Sequence, residues 1–404
     1  MAGYVHGIGG MQAHTVALAH GLAHAGHEVE VITARHPAGL EVDEYQGARW
    51  HFVPVPTRYG RLPIRHHAWL RGSAAKFETL HDVRPFDVVH SESTSALGLL
   101  RRGVHRRVPV VVKFHGNYLG LVSTSVRRAS RGDAHLRFAE AKYVVWVSAD
   151  HFVPPGTVFR FRSCEAMVAS RQQLRGTRRS YLLNPERVHV VPNGVDTSNY
   201  RPRDRESARR ALGLDATSIL LCVARFQRQK GIQHAIAAVA EIPHAHLILV
   251  GHGEERAVLE GLASAPEVVG RVHFVGPKTP TEVAAYMAAA DVFLFPTELP
   301  EPASVVLLEA MASGLPVVAS DIGAITEVID RPNENGVLVP PGDVNALRVE
   351  TLRLLADDGL RSEIGQAARA RIESEYTLER MVERTVQVYD IARRRALRPH
   401  GDGG

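Results

Sequence analysis

Short apolar stretches alternate with longer amphipathic stretches along most of the chain. In the first half the apolar stretches are VEVIT, WHFVPV, FDVVHSES, VPVVVKFHG and VHVVPNG. In the second half they are SILLCVAR, AHLILVGHG, VHFVGP, DVFLFPT, LPVVAS and NGVLVPPGD. Buried strands that alternate with helices are typical of parallel sheets covered by helices. The pattern therefore predicts an α/β protein with two such sheets, and two sheets imply two domains.

The break between the two series of strands predicts the domain boundaries. Between them lies VPNGVDTSNYRPRD, which is polar and rich in turn residues and is interpreted as a hinge. We predict a first domain over residues 1–195 and a second over 196–380. Apolar positions at helical spacing in LERMVERTVQVYDIARRR predict a C-terminal helix over 381–395, and 396–404 is expected to be a frayed tail.

The start of the chain departs from the rest of the strand pattern. A glycine turn, a helix ending near Gly26 and the strand VEVIT form half of a Rossmann-like unit, but only MAGYVHGI stands ahead of Gly9 and Gly10. An internal parallel strand makes ladder hydrogen bonds on both sides, so its omission leaves its neighbours unpaired. Either the native start lies upstream of Met1 or a neighbouring element fills the gap, and we favour an upstream start.

Composition narrows the class of protein. A length of 404 residues suits two domains, each with its own core. No apolar run approaches the roughly 20 residues that span a bilayer, and no signal segment is recognisable at the start. Cys164 and Cys222 lie far apart without metal-ligand spacing, so we interpret both as core thiols in a reducing compartment. We expect a cytoplasmic protein.

The two halves of the chain differ in charge. Residues 1–195 hold 25 Lys and Arg against 14 Asp and Glu, whereas residues 196–404 hold 23 against 29. A basic first half indicates either a solvated surface, which we favour, or attraction to an acidic acceptor or a membrane surface, which leaves peripheral membrane contact open. The Arg pairs are scattered without interleaved aromatic residues, which argues against a nucleic-acid partner.

Two carboxylates stand eight positions apart in the otherwise apolar stretch EPASVVLLEAMASGLPVVA. Glu301 follows the predicted strand DVFLFPT, at the sheet edge where open α/β proteins bind ligands. Ser304 and Gly314 are the expected N-cap and C-cap of a helix that carries Glu309 among apolar neighbours. Because an unpaired buried carboxylate is costly, we expect Glu309 to meet a donor such as a ribose hydroxyl or to lie on a narrow solvent face.

This stretch resembles the signature of retaining glycosyltransferase family four. The resemblance implies the GT-B architecture, in which two Rossmann-like parallel-sheet domains face each other across a cleft, and transfer of a sugar from an activated nucleotide donor. It implies that Glu301 binds donor sugar hydroxyls and that Glu309 binds the nucleotide ribose. The family usually has Pro-Phe-Gly after the first Glu, whereas this chain has Pro302, Ala303 and Ser304. Backbone amides at this point normally hold the sugar, so the change at Ser304 puts the donor sugar in question.

Two cations follow the strand SILLCVAR. Arg225 and Lys230 stand five positions apart in VARFQRQKG, where both could bind the same diphosphate. Two exposed basic residues without a binding role would give the same pattern. The segment is similar to the family's Gly-Arg-Leu motif followed by Lys-Gly, with Ala224 in place of the glycine. The resemblance implies that both cations neutralise the leaving nucleotide diphosphate. His252, in LVGHGEER, stands where the family usually has an acid.

Further candidates lie in the first half. Gly9 and Gly10 precede a helix and can bring backbone N–H groups close to a phosphate, although glycine turns before helices are common. His115 ends VPVVVKFHG, and a lone histidine in a chain with 22 is usually structural. The resemblance implies instead that His115 contacts the donor sugar near its anomeric carbon, with Asn117 and Tyr118 as acceptor-side candidates.

The resemblance thus implies a retaining transferase with a nucleotide sugar as co-substrate and a hydroxyl group as acceptor. UDP-N-acetylglucosamine and UDP-glucose are the expected donors, and no other cofactor is expected. No Asp-x-Asp pair occurs in the chain, so no metal is expected at the diphosphate. The alternatives are a GT-B phosphorylase, a nucleotide-sugar epimerase, or a binding module without catalysis. The acceptor loops LVSTSVRRASRGDAHLR and VPTRYGRLPIRHHAWL do not identify the acceptor.

Overall fold

The chain forms two compact units in the computed structural model. Unit 1 comprises Met1–Gly7, Met11–Pro192 and Met381–Gly404, and unit 2 comprises Ile8–Gly10 and Asn193–Arg380. The structure describes residues 1–2, 10–36, 38–55, 62–116, 161–215, 217–301 and 304–397, and for 62–67 and Ser180 it describes the backbone only. Gly9, Asn117, Tyr118, Pro302, Ala303, the whole acceptor loop LVSTSVRRASRGDAHLR, residues 56–61 of the other acceptor loop and residues 398–404 of the predicted tail lie outside the described residues.

Unit 1 is an α/β unit in which almost all strand pairs are parallel. Its strands are β1 (Glu30–Ala34), β2 (Val42–Tyr45), β3 (Ala48–Val53), β4 (Val89–Glu92), β5 (Val110–Phe114), β6 (Glu165–Val168) and β7 (Val188–Val190). Its helices are α1 (Gly10–His24), α2 (Leu62–Val83), α3 (Leu97–Arg101) and α4 (Arg171–Tyr181), with 3-10 turns at Val104–Arg106, Phe161–Ser163 and Pro185–Arg187. The strands pair in the orders β1-β3-β2 and β4-β5-β6-β7, and among the described strands of this unit only β2 runs antiparallel to its neighbour.

The first two residues join these two groups of strands. The N–H of Ala2 donates to the carbonyl of Ile32 in β1 at 3.0 Å, and the N–H of Glu92 in β4 donates to the carbonyl of Met1 at 2.9 Å. Ala2 is 3% exposed and forms a parallel bridge with Thr33. Met1 and Ala2 therefore occupy the strand position between β1 and β4 that the sequence pattern calls for.

Unit 2 contains one parallel sheet of six strands with helices packed against it. Its strands are β8 (Ser218–Val223), β9 (Ala245–Val250), β10 (Val272–Gly276), β11 (Val292–Phe295), β12 (Val317–Ser320) and β13 (Val337–Val339). Its helices are α5 (Arg205–Leu212), α6 (Ile232–Ala240), α7 (Arg256–Ala263), α8 (Pro280–Ala289), α9 (Val305–Ala312), α10 (Ile325–Val328), α11 (Val344–Ala356) and α12 (Asp358–Glu375), with a 3-10 turn at Arg228–Lys230. The strand order β10-β9-β8-β11-β12-β13 places β8 beside β11 at the centre.

Two details of unit 2 differ from the sequence-based expectations. The segment interpreted as a hinge is packed into the unit, because Val195 and Tyr200 are 3% and 5% exposed and Val195 exchanges backbone hydrogen bonds with Tyr376 and Leu378. The C-cap of α9 is Ser313 rather than Gly314. Gly314 follows it with a φ of +69°, a left-handed conformation that glycine adopts without strain.

The C-terminal helix α13 (Leu378–Leu397) begins in unit 2 and continues in unit 1. Within unit 1, the Arg395 guanidinium lies 2.7 Å from the Glu165 carboxylate of β6, and the Tyr389 hydroxyl lies 2.7 Å from Nδ1 of His90 in β4. In the part of the chain that the structure describes, none of the helices combines the length and the apolar character required to cross a bilayer.

Candidate active site

Two loops at the carboxyl ends of β8 and β11 are joined tightly in unit 2. The carbonyl of Gln229 accepts from the N–H of Glu298 at 2.9 Å and from the Thr297 hydroxyl at 3.1 Å. Gly231 has a φ of +69°, and a Cβ there would lie 1.7 Å from the carbonyl oxygen of Pro296. Only glycine permits this approach, which brings the Arg228–Lys230 turn against the loop that leads to α9.

The joined loops bring two predicted site residues into contact. Nζ of Lys230 donates to Oε1 of Glu301 at 2.6 Å, and the two side chains are 23% and 17% exposed. Both groups therefore remain accessible to a ligand. Lys230, which is expected to bind the diphosphate, is therefore in direct contact with Glu301, which is expected to bind the sugar.

A neighbouring carboxylate supports these loops. Oε1 of Glu298 accepts from Nε2 of Gln233 at 2.6 Å and lies 2.8 Å from Nε2 of His234, both on α6. Since Glu298 also donates its N–H to Gln229, it fixes the start of α6 against the β11 loop. Sequence reasoning missed Glu298, although its position three residues before Glu301 was a usable signal.

Arg225 lies in the turn that follows β8, and its side chain is exposed. This turn packs closely against the LVGHG segment after β9, because a Cβ at Gly251 would lie 2.0 Å from the carbonyl oxygen of Ala224 and one at Gly253 would lie 2.2 Å from that of Phe226. The carbonyl of His252 accepts from the N–H of Phe226 at 2.8 Å. The backbone of the cationic turn is thus fixed by glycines.

Glu309 meets a donor from the protein itself. It lies on α9 among buried apolar residues and accepts a hydrogen bond from the Tyr200 hydroxyl. Burial raises the pKa of Glu309 to about 7, and the Tyr200 hydrogen bond acts in the opposite direction. Burial, followed by the Glu309 carboxylate, raises the pKa of Tyr200, so that Tyr200 remains a donor. Sequence reasoning missed Tyr200 because its segment read as a hinge.

Ser304 occupies the N-cap position of α9 as predicted. Its side chain is 9% exposed and makes no capping hydrogen bond. The N–H groups of the first turn of α9 are therefore not capped by this side chain. Such groups are donors that an anion or a sugar hydroxyl can use.

A second cluster of site residues forms in unit 1 around Glu92, the last residue of β4. His115 follows the neighbouring strand β5, and its Nε2–H donates to Oε2 of Glu92. Oε1 of Glu92 lies 3.4 Å from Nε2 of His90 and 3.6 Å from Nε2 of His14, which α1 contributes. The rings of His14 and His115 meet edge to face with centroids 4.9 Å apart. Sequence reasoning proposed His115 alone and missed Glu92.

The electrostatics of this cluster favour an ionised carboxylate. Burial opposes ionisation of Glu92, but His115 and then His14 more than offset it, so the pKa of Glu92 lies well below its ordinary value. Burial lowers the pKa of His14 and of His90, with Glu92 acting in the opposite direction. Lys113, paired with Glu92 across the β4–β5 ladder, has its pKa lowered to about 8 by burial while Glu92 opposes the shift.

The same cluster is the group of described residues whose spacing could suit a metal ion. The ligand atoms of His14, Glu92 and His115 all lie within 4.8 Å of one another. However, His115 donates directly to Glu92, and the buried Lys113 ammonium interacts with the same carboxylate. A cation would have to break the first contact and approach the second charge, so the geometry favours a hydrogen-bonded cluster over a metal site.

Gly10 is the first residue of α1, and a Cβ placed on it would meet no atom within 4 Å. The space beside this helix start is therefore open on the side of Gly10. Its predicted companion Gly9 lies outside the described residues.

The chain has the GT-B architecture of two Rossmann-like units with parallel sheets, and its structural neighbours include glycosyltransferases of that class. Residues 8–199 match the family described as Glycosyltransferase Family 4, and residues 204–371 match the family described as Glycosyl transferases group 1. The chain belongs to glycosyltransferase family four, and it is a glycosyltransferase.

Similar proteins cover nearly the whole chain. An uncharacterised glycosyltransferase of Methanocaldococcus jannaschii is 27% identical over 401 residues, and an MMP alpha-(1->4)-mannosyltransferase of Mycolicibacterium hassiacum is 27% identical over 415 residues. Both alignments cover 95% of each chain. The solved sucrose-phosphate synthase of Thermosynechococcus elongatus is similar with a TM-score of 0.78 and 26% identity, over 95% of this chain and 93% of that chain.

Proposed function

We propose that this glycosyltransferase moves a sugar from a nucleoside diphosphate sugar to a hydroxyl acceptor with retention of configuration. The observation that carries the proposal is the Lys230–Glu301 contact at the carboxyl ends of β8 and β11. One ammonium and one carboxylate, both accessible, can serve the two parts of such a donor: phosphate oxygens on one side and sugar hydroxyls on the other.

The cations account for the leaving group. The Lys230 ammonium has three N–H donors and uses one for Glu301, so others can meet a diphosphate oxygen without loss of that contact. Arg225 is exposed in the same turn and adds a second positive charge. Negative charge grows on the diphosphate as the bond to the anomeric carbon breaks, and preorganised cations stabilise it.

The remaining residues orient the donor. Glu301 accepts from sugar hydroxyls, Glu309 accepts from ribose hydroxyls, and the first turn of α9 behind Ser304 offers backbone donors. His115 contributes a contact to the sugar near its anomeric carbon, and backbone N–H groups at Gly9 and Gly10 face phosphate. These assignments follow the residues that match the family's motifs, and the accessible positions of Glu301 and His115 support them.

The proposed step is a displacement on one face of the sugar. The bond between the anomeric carbon and the diphosphate oxygen breaks, and the bond to the acceptor oxygen forms on the same face. The acceptor proton passes to the departing diphosphate oxygen. The charge of the diphosphate is met by Lys230 and Arg225, so the step needs no metal ion.

The test is a screen of the purified chain against nucleotide sugars, with UDP-N-acetylglucosamine and UDP-glucose first and GDP-mannose as a third donor. Release of the free nucleoside diphosphate identifies the donor, and NMR of the anomeric proton of the product reports configuration. Turnover that requires inorganic phosphate and no organic acceptor would indicate a phosphorylase. Nucleotide binding without transfer or hydrolysis would indicate a binding module.

A further inference from the structure

The imidazole of His115 is held from two sides. Glu92 accepts the Nε2–H on one edge, and the His14 ring packs against a second side. The side chain of His115 is 13% exposed, whereas those of Glu92 and His14 are 3% and 2% exposed. Of these three residues, His115 alone can reach a bound molecule.

Glu92 cannot meet a substrate directly. One oxygen is bonded to His115, and the other lies between Nε2 of His90 and Nε2 of His14 at 3.4 and 3.6 Å. A carboxylate so enclosed presents no free oxygen as a nucleophile or a base. Glu92 can therefore affect a reaction only through a residue that it contacts.

We propose that Glu92 is a positioning residue for the transfer reaction. By accepting from Nε2 it fixes the ring plane of His115 and keeps the proton on that nitrogen, so that the remaining edge of the imidazole faces the donor sugar in one orientation. The inference rests on the proposed function, because it assigns Glu92 a role through His115.

The residues around Glu92 favour its ionised form and fix the orientation of its carboxylate. His14 comes from α1, His90 from β4 itself and Lys113 from β5, and His115 directly follows β5, so helix and strands enclose the carboxylate together. Tyr389 of α13 holds the far nitrogen of His90 at 2.7 Å. The His90 side chain is about as exposed as that of His115, at 14% against 13%, but its Nδ1 is taken by the Tyr389 hydroxyl. His115 is therefore the partner of Glu92 that can offer a ring edge to a ligand.

The test uses Glu92→Gln with Glu165→Gln as its matched control. Glu165 is also a buried carboxylate of unit 1, and it pairs with Arg187, His189 and Arg395. Glu92→Gln should lower kcat at least about tenfold while KM for the donor stays within about threefold, because orientation and not donor binding is lost. Glu165→Gln should lower Tm and leave kcat of the folded protein unchanged. Equal kcat in Glu92→Gln and wild type would overturn the proposal.

Two further variants guard against a fold defect. Glu92→Asp keeps the charge but shortens the reach to His115, so it should be nearly as stable as wild type and still lose kcat; full kcat would contradict the proposal. In a His115→Ala background, Glu92→Gln should cause no additional loss, since coupled residues are not additive. If the losses of kcat from the two substitutions multiplied, Glu92 would act independently of His115.

Two outcomes separate the possible failures. A wild-type chain that turns over none of the donors would overturn the proposed function together with this inference. Stoichiometric zinc in the active wild type that is lost in Glu92→Gln would overturn this inference alone and replace it with a metal site.

Discussion

Glu92 of unit 1 is a buried carboxylate and Glu309 of unit 2 is a partly buried one, and their pKa values move in opposite directions. Three imidazoles and Lys113 lie around Glu92, and His115 and then His14 lower its pKa by more than burial raises it. The Tyr200 hydroxyl donates a hydrogen bond to Glu309, and burial raises the pKa of Glu309 to about 7. The difference shows that neighbouring donors and cations, and not burial alone, set the ionisation of these two carboxylates; in the proposed function, ribose hydroxyls would add donors at Glu309.

The largest effect is expected where charge develops. Lys230→Ala and Glu301→Gln should each lower kcat/KM by at least ~10²-fold, because each removes a preorganised contact at the reacting end of the donor. The measurement is initial-rate kinetics with the donor found in the screen. Arg228→Ala, an exposed cation in the same turn, is the control and should remain close to wild type. Near-normal transfer by folded Lys230→Ala would show that the site lies elsewhere.

The two units should respond oppositely to a change from pH 7.5 to 5.5. In unit 2 the folded pKa of Glu309 exceeds its unfolded value, so the protonated form is favoured by folding and acidification stabilises the unit by up to about 2 kcal/mol. In unit 1 burial lowers the pKa values of His14 and His90, so the unfolded chain binds more protons and acidification destabilises. The contribution of Glu92 to the free energy of unfolding is lost only below the pKa of this residue in the unfolded chain, which lies outside the range from pH 7.5 to 5.5.

Hydrogen exchange of peptides from each unit, corrected for intrinsic rates, measures this contrast. Glu309→Gln should abolish the gain in unit 2 and leave unit 1 unchanged. A parallel response of both units would mean that these groups do not govern the pH dependence.

Nucleotide affinity should depend on pH through the same carboxylate. Ribose hydroxyls donate to an ionised Glu309, and with a pKa near 7 only about a tenth of it is ionised at pH 6. We therefore expect binding of the nucleoside diphosphate to be ~10-fold weaker at pH 6 than at pH 8. Titration of the wild type and of Glu309→Gln at both values provides the test, and an equal slope in the two proteins would exclude Glu309 as the cause.

The smallest expected effect is that of chelation. If Lys230 and Arg225 carry the diphosphate, transfer should be unchanged after treatment with excess EDTA and desalting. Activity that falls and returns with Mg²⁺ or Mn²⁺ would show that these cations do not suffice.

Most of the strands were predictable because buried parallel strands read as apolar runs. The eleven apolar stretches named from the sequence all contain strands, which confirms that part of the prediction. β6 was missed because it begins with the charged Glu165, whose partners His189 and Arg395 are distant in sequence. β2 was missed because it is an exposed antiparallel edge strand with the polar sequence VDEY.

The candidate site was predictable in part. Motif spacing identified Lys230 and Glu301 separately, and their contact depends on the approach of Gly231 to Pro296, which no local pattern reveals. Glu92 was not identifiable as a site residue, because the sheet brings its partners together from α1, β4 and β5. Contacts across elements arise from the fold and leave little trace in the spacing of residues along the chain.

The two cysteines have a practical consequence. Cys164 lies in unit 1 and Cys222 in unit 2, both buried, and burial raises the pKa of each thiol, that of Cys164 to about 12. Thiolates are the reactive form, so alkylating reagents should modify the folded chain very slowly. Each unit thus carries a single internal label whose alkylation rate reports how often that unit opens, and a cysteine introduced on the surface could receive a fluorophore without removal of the native pair.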